Sequence, residues 1–274
     1  MSCSFYLDLP CCIVNICFEH FEDEYIDFFK KIYSAYLSNI TPSRKHICSA
    51  VLKKNKNRFT VAGKTALNAE QDIENLYNII HYIVCDSICR SCDEQGFVVL
   101  HASSFILNEK SVLLAGKKSS GKTTALLYFL MNGAIYTGDE VVVISSDGIM
   151  PYQLPLRAKI NTITFLKKQF NYEFKYHTLP FGINTKKQYL SSDNSFRSKT
   201  IENWIKCDKI VFLNENYSRN SLKSLTQFEA VNSLLQCVRN KTPISSVLSL
   251  IKEANICSTD FSVSLDEVKS SIYE

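Results

Sequence analysis

No apolar stretch in the sequence approaches the roughly 18 residues of a membrane span, which argues against a transmembrane segment. The first residues, Met1-Ser2-Cys3-Ser4-Phe5-Tyr6-Leu7-Asp8, lack a basic start followed by an apolar run, so no secretory signal is expected. Internal repeats and low-complexity linkers are missing as well, which excludes a repeat array. Neither sign of charge dominates. Thirty-one Lys and Arg against 27 Asp and Glu leave +4, too little and too dispersed to suggest a nucleic-acid surface. The densest basic stretch, Lys53-Lys54-Asn55-Lys56-Asn57-Arg58, lacks the interleaved aromatics of a base-stacking platform. It sits between two strand-like runs and reads as a solvated hairpin tip. The 11 cysteines are odd in number and show no regular spacing, so they do not read as a disulfide framework. Without an export route they are expected to stay reduced, as small buried apolar side chains, in a cytoplasmic protein.

What remains is a chain of 274 residues with 46% hydrophobic and 21% charged residues, ample for a normal core. Residues 1–95 read as a small α+β domain. Cys11 to Phe18 suits a buried strand. Tyr25, Phe28, Phe29, Ile32, Tyr33, Tyr36 and Leu37 recur at helical spacing after the acidic start Glu22-Asp23-Glu24, with Pro42 as the stop. Ile47–Leu52 and Phe59–Val61 read as two strands of a hairpin. A long helix is expected from about Ala69 to Arg90, with Asn68 as N-cap. Cys85, Cys89 and Cys92 have the C-x3-C-x2-C spacing with which radical S-adenosylmethionine enzymes hold an iron–sulfur cluster. They also fall at i, i+4 and i+7 on that helix, and the buried-stripe reading needs no further assumption.

From Gly96 the pattern changes to that of a second domain, 96–274. Phe97–Leu100, Ser103–Leu107 and Ser111–Ala115 are strand-like, and Ala125–Met131 reads as a helix closed by Asn132-Gly133. Ala134–Thr137 and Val141–Ser145 read as strands around Gly138-Asp139-Glu140, and Asp147-Gly148 as a tight turn. Pro151 and Pro155 keep the next segment extended. Ile210–Leu213 is a buried strand, with helices at Phe228–Val238 and Asp266–Tyr273. The stretch from Lys167 to Lys199 is polar and weakly periodic, as in a long loop.

Between strand and helix lies Gly116-Lys117-Lys118-Ser119-Ser120-Gly121-Lys122-Thr123, a full match to G-x-x-x-x-G-K-[ST]. Glycines let the backbone curl until several N–H groups point inward at phosphate oxygens. A helix starting at Gly121 adds its unpaired N–H groups and the positive end of its dipole. The residues expected to wrap a nucleoside triphosphate are Gly116, Ser119, Ser120, Gly121, Lys122, Thr123 and Thr124, with Lys122 on the outer phosphates and the Thr123 hydroxyl on Mg²⁺. Downstream, Asp139-Glu140 follows only two apolar residues, Ile135 and Tyr136, where a Walker-B strand would place several. That weakens a motor, transporter or GTPase reading. A carboxylate pair beside the outer phosphate can divide two tasks, one acid holding metal and one accepting a hydroxyl proton.

The order His101, phosphate loop, helix, Gly133-Ala134-Ile135-Tyr136 and Gly138-Asp139-Glu140 resembles the catalytic domain of HPr kinase/phosphorylase, and most of all its looser HPr-kinase-like relatives. The resemblance spans Leu100 to about Arg157. It implies an α/β fold, the mixed-sheet P-loop fold shared with ATP-dependent phosphoenolpyruvate carboxykinase. It also implies phosphoryl transfer from ATP to a hydroxyl, with serine in a peptide or small protein as the expected acceptor. By the resemblance Asp139 is the catalytic base, Glu140 with Thr123 a metal contact, and His101 a catalytic residue tuning charge near the transferred phosphate. Arg157 is expected to form a structural salt bridge. The glycine-rich segment after the catalytic core and the basic, asparagine-containing stretch near the C-terminus of HPr kinases are not found, so HPr as substrate and the reverse phosphorylase reaction are not implied. A non-catalytic nucleotide switch and a small-metabolite kinase stay open, as do the choice of ATP or GTP and a homo-oligomer.

Overall fold

Short apolar runs near the N-terminus pair as strands because each buries one or both faces. The computed structural model describes residues 2–38, 47–63, 70–180, 187–190, 203–214, 223–241, 244–260 and 265–273. Two compact units divide the chain: Met1–Ser91 with Tyr176–Tyr189, and Cys92–Lys175 with Leu190–Glu274.

In the first unit, β1 (Ser2–Asp8) and β2 (Ile13–Glu19) pair antiparallel, and α1 (Asp23–Ile32) connects onward to β3 (Leu37–Ser38). Next come β4 (Ile47–Asn55), β5 (Arg58–Gly63) and β6 (Gln71–Asp72), completing a sheet ordered β3-β1-β2-β4-β5-β6. The β2 and β4 strands are parallel, and β4 and β5 form the hairpin whose tip is Lys56-Asn57. Phe18 and Phe29 anchor the core, with ring centroids 5.2 Å apart, and Phe5, Phe21 and Tyr33 pack around them.

Three boundaries of α1 and the helix after it differ from the sequence expectation. The α1 helix stops at Ile32, because Tyr33 to Tyr36 turn and Leu37 pairs with Leu7 of β1. Strand pairing there overrides the helical spacing of Tyr36 and Leu37. The second helix, α2 (Leu76–Gln95), starts late because Gln71-Asp72 pairs with β5 and Ile73–Asn75 winds as one 3-10 turn. It also runs past Arg90 to Gly96, whose φ of +74° ends it. Pro42 and Asn68 lie outside the described residues. Cys85, Cys89 and Cys92 all sit on α2, the first and last buried. Among the described residues no helix is long and apolar enough to cross a membrane.

The second unit is a mixed α/β structure. Its elements are β7 (Val98–Leu100), β8 (Ser103–Leu107), β9 (Lys110–Ala115), α3 (Lys122–Met131), β10 (Ile135–Asp139), β11 (Val142–Ser145), β12 (Gly148–Met150), β13 (Arg157–Lys159) and α4 (Ile160–Phe170). The strand β14 (Lys187–Tyr189) belongs to the first unit, and the second continues with β15 (Lys209–Asn214), β16 (Lys223–Ser224), α5 (Gln227–Leu235), α6 (Ile244–Glu253), β17 (Asn255–Asp260) and α7 (Leu265–Tyr273). The main sheet runs β10-β8-β9-β15-β17-β16, parallel through β9, β15 and β17 and antiparallel elsewhere. Alternate residues of its central strands serve opposite faces. Val112, Leu114, Val211 and Leu213 pack with α3 residues such as Leu126 and Phe129. Leu113, Ala115, Ile210 and Phe212 pack instead with Leu234, Val247 and Leu250 of α5 and α6. Both faces are covered, which is why β9 and β15 read as unbroken apolar runs.

The helices α4 and α6 and the strand β17 lacked a sequence signal, as did the short strands β12, β13 and β16. The segment expected as a loop from Lys167 begins inside α4, which ends at Phe170, and β14 lies further along it. Much of the remainder is outside the described residues.

Candidate functional site

The interior strand β9 delivers the chain into the glycine loop at its carboxyl end. Gly116 has φ +151°, and a Cβ there would stand 2.5 Å from the Leu213 carbonyl oxygen and 2.6 Å from Ser120 Oγ, so only glycine fits. Ser119 and Gly121 also have positive φ, +69° and +86°. These turns wind the backbone back on itself before α3 begins at Lys122. Gly121 caps that helix without any side-chain hydrogen bond, so the first-turn amides have no side-chain acceptor from the cap.

Lys122 is buried, and its Nζ donates to the carbonyls of Gly116 and Lys117, 2.8 Å each. Burial lowers its pKa, with Arg239 adding to the effect and Cys237, Asp139 and Glu140 opposing it. Ser120 Oγ is buried inside the loop with no hydrogen-bond partner among the described residues. The next two threonines face different neighbours. Thr123 Oγ1 donates to Asp139 Oδ2 at 3.1 Å, and Thr124 Oγ1 lies 3.5 Å from Thr162 Oγ1 of α4.

Asp139 closes β10, directly opposite Ser103 of β8. The Ser103 hydroxyl donates to Asp139 Oδ1, so both carboxylate oxygens accept hydroxyl hydrogens. A bulge between Tyr136 and Gly138 re-aims the end of this strand. Burial, helped by the neighbouring Glu140, pushes the Asp139 pKa up from 3.8 to about 6, against the pull of its two hydroxyl donors.

Glu140 has φ +65°, a left-handed backbone at the exit from β10. Its carboxylate accepts from Arg157 Nη2 at 2.6 Å, a largely buried ion pair. The arrangement differs from the expected metal contact: the carboxylate bonded to Thr123 is that of Asp139, while Glu140 engages Arg157. Arg157 forms the structural salt bridge expected of it.

His101 sits on a bend just after β7 rather than within a strand. Its backbone N–H donates to the Cys237 carbonyl at 2.7 Å. Nδ1 lies 2.7 Å from Arg239 Nη2 and 3.4 Å from the Glu140 carbonyl. These two contacts make opposite demands on one nitrogen, since arginine only donates and a carbonyl only accepts. The shorter, charge-assisted bond wins, which leaves Nδ1 unprotonated and the hydrogen on Nε2. Burial first, then Arg239 and Lys122, hold the His101 pKa down at about 4.

Lys122, Thr123, Asp139, Glu140 and His101 therefore form one constellation linked by short contacts or by mutual electrostatics. Sequence reasoning missed three neighbours. Ser103 anchors Asp139. Cys237 lies under the loop, its Sγ 3.6 Å from the Gly116 carbonyl. Arg239 reaches His101 from 138 residues away. No local pattern marks any of them, because the pairing of distant segments is what brings them in.

The oxygens of Thr123 and Asp139 are hard donors of the kind Mg²⁺ takes, and a desolvated carboxylate with a raised pKa gains from a cation beside it. The glycine cradle and uncapped helix start provide N–H groups suited to phosphate. Among the described residues no three His, Cys, Asp or Glu side chains form a self-sufficient metal cluster, so a cation here would need ligands from a nucleotide or water. No protein-family model and no curated protein matches this chain.

Proposed function

We propose that this chain is an ATP- and Mg²⁺-dependent kinase with a P-loop catalytic unit of the HPr-kinase-like type, acting on a serine hydroxyl of a peptide or small protein. The observation that carries the reading is the hydrogen bond between Thr123 Oγ1 and Asp139 Oδ2, 3.1 Å long, which joins the end of the glycine loop to a buried carboxylate. A loop alone binds phosphate; a carboxylate beside it gives the acceptor proton somewhere to go.

In this reading the loop amides and Lys122 hold the outer phosphates, Lys122 exchanging its bonds to the Gly116 and Lys117 carbonyls for phosphate oxygens. Mg²⁺, held beside Thr123, would neutralise phosphate charge. The acceptor hydroxyl loses its proton to Asp139 as its oxygen bonds to the terminal phosphorus, and the bond from that phosphorus to the leaving diphosphate breaks. Ser103 keeps the Asp139 carboxylate from rotating. Burial raises the Asp139 pKa in the empty site, the direction that makes it a stronger base. Positioning and charge neutralisation supply most of the acceleration.

The test is made on wild type and Asp139→Asn, measuring ATP–Mg²⁺ affinity by calorimetry and transfer from terminally labelled ATP to a library of serine peptides. Loss of a general base lowers transfer by roughly 10²- to 10⁴-fold while affinity stays within a few-fold. Weakened binding of the Mg²⁺ complex in parallel would assign Asp139 to the metal instead. Unaltered transfer would remove it from the mechanism. Wild-type affinity for ATP–Mg²⁺ in Lys122→Ala would sink the nucleotide site altogether.

A further inference from the structure

The segment from Cys237 to Asn240 is tied along β7 by an unusual density of bonds for a stretch between two helices. The His101 N–H reaches the Cys237 carbonyl, and the Arg239 N–H reaches Val99 at 2.8 Å. Leu100 and Val238 form an antiparallel bridge. The Asn240 side chain accepts from the Val99 N–H and donates to the Phe97 carbonyl, 2.8 Å each. The backbone of Arg239 is thus fixed from both sides while its side chain stays exposed.

The guanidinium is fixed as well. Arg239 Nη2 donates to His101 Nδ1 at 2.7 Å, because a guanidinium has no acceptor. The contact stands next to the Glu140 carbonyl, at the Asp139–Glu140 end of the site rather than at the loop. Cys237, two residues before Arg239, has its Sγ 3.6 Å from the Gly116 carbonyl that also accepts from Lys122 Nζ, so the segment carrying Arg239 meets the lysine at the same point of the loop. Two cations therefore share one small region. The nearby carboxylates are otherwise engaged, Asp139 with Ser103 and Thr123 and Glu140 with Arg157. Among the described residues no carboxylate lies within ion-pair distance of Arg239. Holding two like charges together costs free energy unless an anion comes between them.

We propose that Arg239 is a terminal-phosphate sensor: its guanidinium, aimed by His101, binds the outermost phosphate of a nucleoside triphosphate and makes the site prefer triphosphate over diphosphate. The inference rests on the kinase reading and deepens it by naming the group that recognises the phosphate to be transferred. One guanidinium N–H is used on His101, and four remain for phosphate oxygens. Supplied from the same chain, such an arginine neutralises charge where the terminal phosphate meets the base. His101 touches no phosphate in this scheme. It is a positioning residue acting through Arg239.

The experiment compares calorimetric affinities for ATP–Mg²⁺ and ADP–Mg²⁺ in wild type, Arg239→Ala, Arg239→Lys, His101→Ala and the double variant Arg239→Ala/His101→Ala. Arg239→Ala should weaken ATP by roughly 10- to 100-fold and ADP by less than about 2-fold, and Arg239→Lys should fall between. His101→Ala should lower the ATP-to-ADP preference more mildly and add nothing in the double variant, whereas a merely structural histidine would shift both nucleotides and remain additive. His101→Asn, whose carbonyl can still accept from Arg239, should restore part of the preference. Arg239 is exposed, so its variants should fold normally, which far-ultraviolet circular dichroism checks. Equal losses for both nucleotides, or none for ATP, would overturn the sensor while leaving the kinase reading intact. A wild type that binds neither nucleotide would overturn both.

Discussion

The two units differ in the charge they bury: among the described residues the buried Lys, Arg and Asp side chains all lie in the second. In the first, the Tyr77 hydroxyl donates to the Tyr25 carbonyl, Ser87 to Ile83 and Ser91 to Cys11, and the aromatic rings of Phe5, Phe18, Phe21 and Phe29 pack edge to face. In the second, a buried lysine, a buried carboxylate with a raised pKa and an orphaned Ser120 hydroxyl cluster on three successive elements. Ser119 and Glu140 add left-handed backbone. Such a concentration of desolvated charge and uncommon backbone geometry is costly in an empty protein. The contrast separates a region organised for cohesion from one whose buried charges suit the proposed nucleotide site.

The largest effect should come from disturbing the cohesive side. Phe18 is buried at the centre of three ring contacts, with Phe5, Phe21 and Phe29. Phe18→Ala should cost about 3 to 5 kcal/mol in urea-induced unfolding, through lost transfer energy and the cavity left behind. A cost under about 1 kcal/mol would mean that the first unit does not depend on its aromatic core.

Lys122→Met should do the reverse. The aliphatic stem is kept, two hydrogen bonds to loop carbonyls are lost, and a buried ammonium is removed. These changes oppose one another, so the stability of the empty protein should stay within about 1 kcal/mol of wild type. Nucleotide affinity should fall below detection by calorimetry. A large destabilisation with binding preserved would turn the lysine from a ligand-binding group into a structural one.

Much of the second unit was legible because its signals are local. Ser103–Leu107 and Ser111–Ala115 are read from apolar runs with a turn between, and the structure has strands at Ser103–Leu107 and Lys110–Ala115. The helix after the loop and its stop at Asn132-Gly133 follow from the same kind of signal, and Gly133 has φ +88°. What stayed hidden depends on partners far along the chain. Gln71-Asp72 becomes a strand only because β5 offers an edge, and Leu37 leaves its helical pattern because β1 does. The α4 helix escaped notice because its apolar residues alternate with Asn161, Thr162 and Thr164, poor helix formers beside the extended Pro151–Pro155 stretch. Within the site, the glycine motif and Asp139 stand out in one dimension. Arg239 cannot, because its meaning comes from His101.

The smallest effect is also the most specific to the contrast, because Asp139 and His101 titrate against each other. Asp139 is raised from 3.8 to about 6 in the folded protein. Between these values the folded state keeps a proton that the unfolded chain has released, so this group makes stability fall as pH rises. His101 is lowered from 6.5 to about 4. Over that window the unfolded chain holds a proton that the folded state refuses, so this group makes stability rise with pH. The two slopes oppose each other over nearly the same range and largely cancel in wild type. Removing one should expose the other. Asp139→Asn should gain on the order of 1 to 3 kcal/mol relative to wild type between about pH 4 and about pH 7, and His101→Asn should lose a similar amount. Urea midpoints of the three proteins at both ends of that range decide the matter, with differences from wild type cancelling the titration of groups elsewhere. Opposite signs in the two variants would establish that the site holds its carboxylate and its histidine against their solution preferences. Equal signs, or none, would mean that solvent reaches the constellation and that the charge imbalance argued for the second unit is already relieved by water.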